Sequence, residues 1–118
     1  MPVTSDLFAE RFAAVRQRFV AKLDARIDEI ESTVPELGHA GSLETLARAH
    51  RRAHDLCGVG PTMGFVATGK AARSIEQLLL TALRAERSLT ADEIARLIDG
   101  IAALRSAAVA ETRPAGQE

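Results

Sequence analysis

Tryptophan and tyrosine are absent from this chain of 118 residues, and phenylalanine occurs only four times. Aromatic side chains that could stack on bases are therefore scarce, and 15 basic residues against 16 acidic ones leave no overall positive field. Both deficits argue against a nucleic-acid binder. Arg48, Arg51 and Arg52 are a local exception, read as a solvated helix face. Cysteine occurs once, as Cys57, which excludes an intrachain disulfide and a paired-cysteine metal site and points to a reducing compartment, the cytoplasm. Long apolar runs are missing too. The longest leucine run, Leu78 to Leu80, is far below the ~20 residues of a membrane span. The opening MPVTSDLFAERF has no basic segment followed by an apolar one, so no export signal is expected. The initiating Met and the polar end suggest a free-standing protein.

What remains is Ala- and Leu-rich, 47% apolar and 26% charged, the composition of a globular chain with one core. Residues 1–118 are expected to form one domain, with 112–118 as a flexible tail around Pro114 and Gly116. Phe8, Phe12, Val15, Phe19, Leu23, Ile27, Ile30 and Val34 recur at steps of three and four, predicting a long helix over about 5–34. Thr4 or Ser5 can cap it, and Pro35 and Gly38 end it. Ser42 is a good cap for a second helix over 42–60 carrying Leu43, Leu46, His50, Ala53 and Cys57, with Gly58, Gly60 and Pro61 weakening or stopping it. A third stripe, from Phe65 through Thr68, Ile75, Leu78 and Leu79, predicts a helix over 64–85. Thr90 and Glu93 form a capping-box pattern ahead of a fourth helix over 90–111, with Ile94, Leu97, Ile98, Ile101, Leu104 and Ala108 on one face. No segment alternates with period two, so the fold class is all-α: an antiparallel, up-down four-helix bundle.

On the second helix, His54 falls about 80° from the centre of the apolar face at 100° per residue, on the border between core and solvent. Gly58 lies one turn further on. A helical glycine costs ~1 kcal/mol against alanine, and space around the imidazole is the simplest reason for it. A phosphoryl group on a ring nitrogen would need such room. Other readings of these residues stay open: His54 as a border histidine of an unrelated bundle, His50 and His54 as an i, i+4 metal pair with no third ligand fixed by spacing, and Cys57 as a packed thiol or a redox switch. No metal site is expected.

The stretch from Ala53 to Phe65, AHDLCGVGPTMGF, resembles the signature of histidine-containing phosphotransfer (HPt) domains: His, a hydrophobic residue at +2, Lys at +3, Gly at +4 and Gly at +10. His54, Leu56, Gly58 and Gly64 match, and the helix order around them extends the likeness over nearly the whole chain. Cys57 departs from it, standing where the family has lysine. The resemblance implies that His54 takes a phosphoryl group from a receiver-domain aspartate and passes it to another receiver. It implies a phosphocarrier of two-component signalling that is not an enzyme by itself, needs no cofactor of its own, and relies on Mg²⁺ held by the receiver. Partners would be receiver domains or a hybrid histidine kinase, with no membrane or nucleic acid, and the chain a monomer.

A thiol cannot supply the lysine's charge, so Arg51, Lys70 or Arg73 would have to stand in. The family pattern also implies a polar side chain on the third helix that hydrogen-bonds the histidine, here Glu76 or Gln77, the alternative being that these face solvent. The docking surface would include Asp55, Val59, Pro61, Gly64 and Phe65 around His54. The rival to the relay is an HPt-like adaptor that binds a receiver or kinase without phosphotransfer, because Cys57 replaces the lysine.

Overall fold

The computed structural model describes residues 3–40 and 42–113. Helices make up almost all of it: α1 (Val3–Glu31), the one-turn α2 (Val34–Leu37), α3 (Leu43–Thr62), α4 (Val66–Arg84) and α5 (Ala91–Thr112), with no strand among the described residues. The expected tail at 112–118 falls mostly on residues outside this description, with Thr112 closing α5.

The apolar stripes pack as their spacing requires. Phe19, Leu23, Ile27 and Ile30 of α1 meet Leu46, Ala49, Ala53 and Leu56 of α3, Ala72, Ile75 and Leu79 of α4, and Leu97, Ile101 and Leu104 of α5 in one buried cluster. Each buried aliphatic side chain contributes roughly 1.5–3 kcal/mol of transfer free energy. Contacts between neighbouring helices fall in opposite order along the chain. His54 meets Glu76 and Pro61 approaches Gly69 across α3 and α4; Ile75 approaches Gly100, and Thr68 bonds Glu111, across α4 and α5.

The first helix departs from its expected span at both ends. Val3 to Ser5 already belong to α1, so Thr4 and Ser5 do not precede it as caps. At the other end the helix stops at Glu31, and Pro35 lies in the first turn of the separate α2, because a proline fits the first positions of a helix, where its missing N–H leaves no bond unmade. Phe8, Phe12 and Val15, expected in the core, are exposed, Phe8 by 70%. At ~1.5 Å per residue α1 is about 15 Å longer than α4 and about 10 Å longer than α5. Arg16 marks where the bundle ends, its guanidinium donating to the carbonyls of Met63 and Glu111 at the C-terminal ends of α3 and α5. Residues before it overhang. Ile98, also placed on a buried stripe, is 52% exposed, because Leu97, Ile101, Leu104 and Ala108 already fill the inward face of α5.

The second helix runs past its expected stop, with Pro61 inside its last turn. Closure comes three residues after it, at Gly64. Gly64 adopts φ +87, Phe65 N–H donates to Gly60 O, and Gly64 N–H donates to Pro61 O. This pair of bonds around a left-handed residue is the Schellman ending, which satisfies carbonyls that the helix leaves open. Ser42 opens α3, but its hydroxyl makes no capping hydrogen bond.

Two acidic side chains tie the remaining helix starts. Glu111 of α5 accepts from the amides of Ala67 and Thr68 and from the Thr68 hydroxyl, supplying the cap that Phe65 cannot. Burial pushes its carboxyl up, but the Thr68 hydroxyl and the amides of Thr68, Ala67 and Val66 outweigh it and hold the group below the ordinary carboxylate range. At α5 the capping box forms as its sequence predicts, with Glu93 N–H donating to the Thr90 hydroxyl and Thr90 N–H donating to Glu93. Glu93 also receives both guanidinium arms of Arg87, at 2.7 and 3.1 Å. The Arg87 bond, and next the Thr90 amide, lower its carboxyl to about 2.

A folded-state value below the unfolded one stabilises the fold above the ordinary carboxyl range, and that stabilisation is lost as pH falls toward 2. Glu93→Gln is therefore expected to cost about 2 kcal/mol near neutrality and to melt with a shallower acid dependence than wild type between pH 5 and 2.5. Thermal unfolding of both proteins over that window provides the check. Parallel profiles would show that the Glu93 charge does not carry the effect.

Candidate functional site

His54 lies on the fourth turn of α3, on the border predicted from its angle, and its side chain is 66% exposed. Backbone and neighbours nevertheless restrain it. Ala53 beside it is fully buried, and on α4 the Glu76 carboxylate contacts His54 Nδ1 directly. Glu76 is only 15% exposed, so its carboxylate is held in the seam between the helices while the imidazole leans out from it. Nδ1 faces the protein. The ring's other nitrogen, Nε2, makes no hydrogen bond among the described residues.

The close approach of α3 and α4 sets this pairing. A Cβ built on Gly69 would come within 2.7 Å of the Pro61 ring, and one on Gly60 within 3.2 Å of the Phe65 carbonyl. Glycine at both positions therefore lets the helices touch backbone to side chain. The register then brings position 76 level with position 54. Counting three residues on from His54 and three back from Glu76 places Arg73 across from Cys57, and six and six places Lys70 across from Gly60. Arg51, Lys70 and Arg73 are all exposed and form no ion pair among the described residues.

Gly58, one turn beyond His54, is exposed, and a Cβ built on it would meet nothing within 4 Å. The space beside the imidazole is open. Cys57 is half-buried and packs against the core cluster. Asp55 and Val59 lie on the other flank of α3, in a groove shared with Arg26, Glu29 and Arg52, where Arg52 and Glu29 pair at 2.7 Å. Pro61 and Gly64 are exposed at the end of the helix.

Phe65 must be corrected. It was expected on the docking surface, yet it is fully buried, packed edge-on against Phe19 with ring centres 5.1 Å apart and Arg16 over its face. The reason is the Schellman ending, which turns the residue after Gly64 back against the helix it closes. Gly64 itself is accounted for by its left-handed backbone, which glycine adopts without strain.

His50 goes unexplained by the sequence pattern, which placed it on the apolar stripe. It is half-buried, stacked at 18° on the His54 ring, and its Nε2 is 3.9 Å from Glu76. No group of three His, Cys, Asp or Glu side chains arranged to hold a metal ion occurs among the described residues. Nor is any described helix long and apolar enough to cross a membrane.

In comparison with known protein families, the model described as Hpt domain matches residues 14–107. No curated protein and no solved structure matches the chain.

Proposed function

The chain belongs to the Hpt domain family, and we propose that it is a phosphorelay intermediate whose acceptor is His54. The family's part in phosphorelay and two-component signalling is the frame; the particular step and the residues are this reading. The observation that carries it is the pairing of a solvent-facing imidazole with a half-sequestered carboxylate on its inner nitrogen.

That pairing prepares a nucleophile. With the proton on Nδ1 donated to Glu76, the lone pair of Nε2 is free and directed outward. Nε2 attacks the phosphorus of a receiver's aspartyl phosphate. The N–P bond forms as the P–O bond to the aspartate breaks, and the aspartate leaves as a carboxylate. The phosphorylated ring is then cationic, still carrying its Nδ1 proton, and the Glu76 charge stabilises it. Reversal onto a second aspartate restores the neutral imidazole. Positioning and charge neutralisation dominate such transfers, and the receiver with its Mg²⁺ supplies most of the latter.

Arg73, level with Cys57 on the neighbouring helix, is our candidate for the cation that the family's lysine provides, with Arg51, one turn before His54, and Lys70 on α4 as the alternatives. Open space at Gly58 admits the phosphoryl oxygens, and Asp55, Val59, Pro61 and Gly64 would border the docking receiver. Residues 1–118 read as one up-down bundle domain, acting in the cytoplasm as a monomer beside a receiver or hybrid kinase.

Incubation with a panel of phosphorylated receivers tests the proposal. Wild type is expected to acquire an acid-labile, base-stable label, and His54→Gln to acquire none while melting within about 2 °C of wild type, as befits an exposed side chain. Stable binding to receivers with no label on the wild-type chain would instead establish the adaptor.

A further inference from the structure

One turn before the acceptor stands a second imidazole to which the carrier reading gives no task. The His50 side chain is 20% exposed, and its Nε2 atom is shut off from solvent without a hydrogen-bond partner among the described residues. The group it faces is the Glu76 carboxylate: Nε2 lies 3.9 Å from Oε2, the same oxygen that contacts His54 Nδ1. The two rings are nearly parallel, with centres 6.2 Å apart. A single carboxylate thus lies within reach of both.

A buried N–H without an acceptor is costly, and a carboxylate has lone pairs for several donors. A small rotation of the His50 ring or the Glu76 side chain brings the 3.9 Å separation into hydrogen-bond range. We propose that His50 is a positioning residue: its Nε2–H donates to Glu76 and clamps that carboxylate against Nδ1 of His54. The inference rests on His54 as the acceptor and explains how its reactive tautomer is kept.

The clamp works in series. His50 fixes Glu76, Glu76 fixes the Nδ1–H form of His54, and Nε2 of His54 keeps its lone pair. A free neutral imidazole prefers its proton on Nε2, so loosening the clamp raises the fraction of His54 blocked at the reacting nitrogen. No bond to His50 forms or breaks during transfer. Its influence passes through Glu76 alone.

The test compares wild type with His50→Leu, which fills the space without a donor, and His50→Gln, which retains one. Nitrogen-15 NMR of the imidazoles reports the His54 tautomer directly, a quantity that lost packing alone would not move. In wild type the His54 proton is expected on Nδ1. In His50→Leu it shifts toward Nε2, and the initial rate of phosphorylation by a phosphorylated receiver falls about tenfold. His50→Gln stays within about threefold of wild type. An unchanged His54 tautomer in His50→Leu, with a rate within about twofold of wild type, overturns the proposal.

If the leucine variant does not fold, proteins that keep His50 decide. A His50 Nε2–H protected from exchange, and shifted by Glu76→Ala, supports the clamp, and its absence refutes it. A tautomer that depends on His50 in a chain that no receiver phosphorylates would end the carrier reading and leave the clamp standing, so the two failures are distinguishable.

Discussion

Glu76→Ala is expected to slow phosphorylation of His54 by about 100-fold while the helices remain folded. The alanine removes the acceptor that holds Nδ1–H, so the imidazole gains rotational freedom and populates the form whose Nε2 carries the proton. It also removes the negative charge beside a ring that becomes cationic on phosphorylation. Glu76→Gln separates these effects, since the amide oxygen can still accept from Nδ1 but carries no charge, and a loss of about tenfold is expected. Quench-flow or gel-based measurement of the transfer rate, at equal receiver phosphorylation, checks both. Equal rates in all three proteins would mean that the contact between His54 and Glu76 has no part in the chemistry.

The largest effect on stability is expected from Gly69→Leu, at about 3 kcal/mol or more. Its Cβ would lie 2.7 and 2.8 Å from Cδ and Cγ of Pro61, atoms of a stiff ring that cannot swing away. Relief requires α3 and α4 to separate along the seam that aligns His54 with Glu76, so the site would loosen with the fold. Gly58→Ala makes the instructive contrast. Its Cβ meets nothing, and the helix loses a flexible residue, so stability is expected to rise by about 0.5–1 kcal/mol. Urea unfolding of the two variants should therefore show opposite shifts. A Gly69→Leu midpoint equal to that of wild type would show that the close approach at Pro61 is not needed.

Much of this arrangement is legible in the sequence. The angle of His54 relative to the stripe of the second helix put it on the border, and its exposure agrees. The Thr90–Glu93 pair announced the start of α5, because the two residues satisfy each other's backbone groups without outside help. Glu76 was legible only through the family resemblance, with solvent as its alternative, and it turns inward.

The misreadings have two sources: helix lengths set by elements distant in sequence, and a local closure that the residue types alone do not reveal. Phe8, Phe12 and Val15 continue the spacing of Phe19 and Leu23 without a break, and only the shorter length of the other helices leaves them uncovered. Pro61 looks like a stop in isolation, yet a proline within the last turn of a helix that ends on Gly64 disturbs little. Phe65 heads an apolar stripe and also lies near His54 in sequence, and the bonds that close α3 decide between core and docking surface by folding it inward. Glu111 caps a helix more than forty residues away, and nothing in its own neighbourhood signals that role. Similarly, His50 fits an apolar stripe by spacing. Its unpartnered nitrogen becomes visible only when α4 is placed beside it.

The direction in which the His54 ring faces decides which of its nitrogens takes the phosphoryl group. Nitrogen-15 and phosphorus-31 NMR of the phosphorylated, imidazole-labelled protein locates the N–P bond. Coupling of phosphorus to Nε2 of His54, with the proton retained on Nδ1, is the predicted result; phosphate on Nδ1 of His54 or on His50 would contradict it.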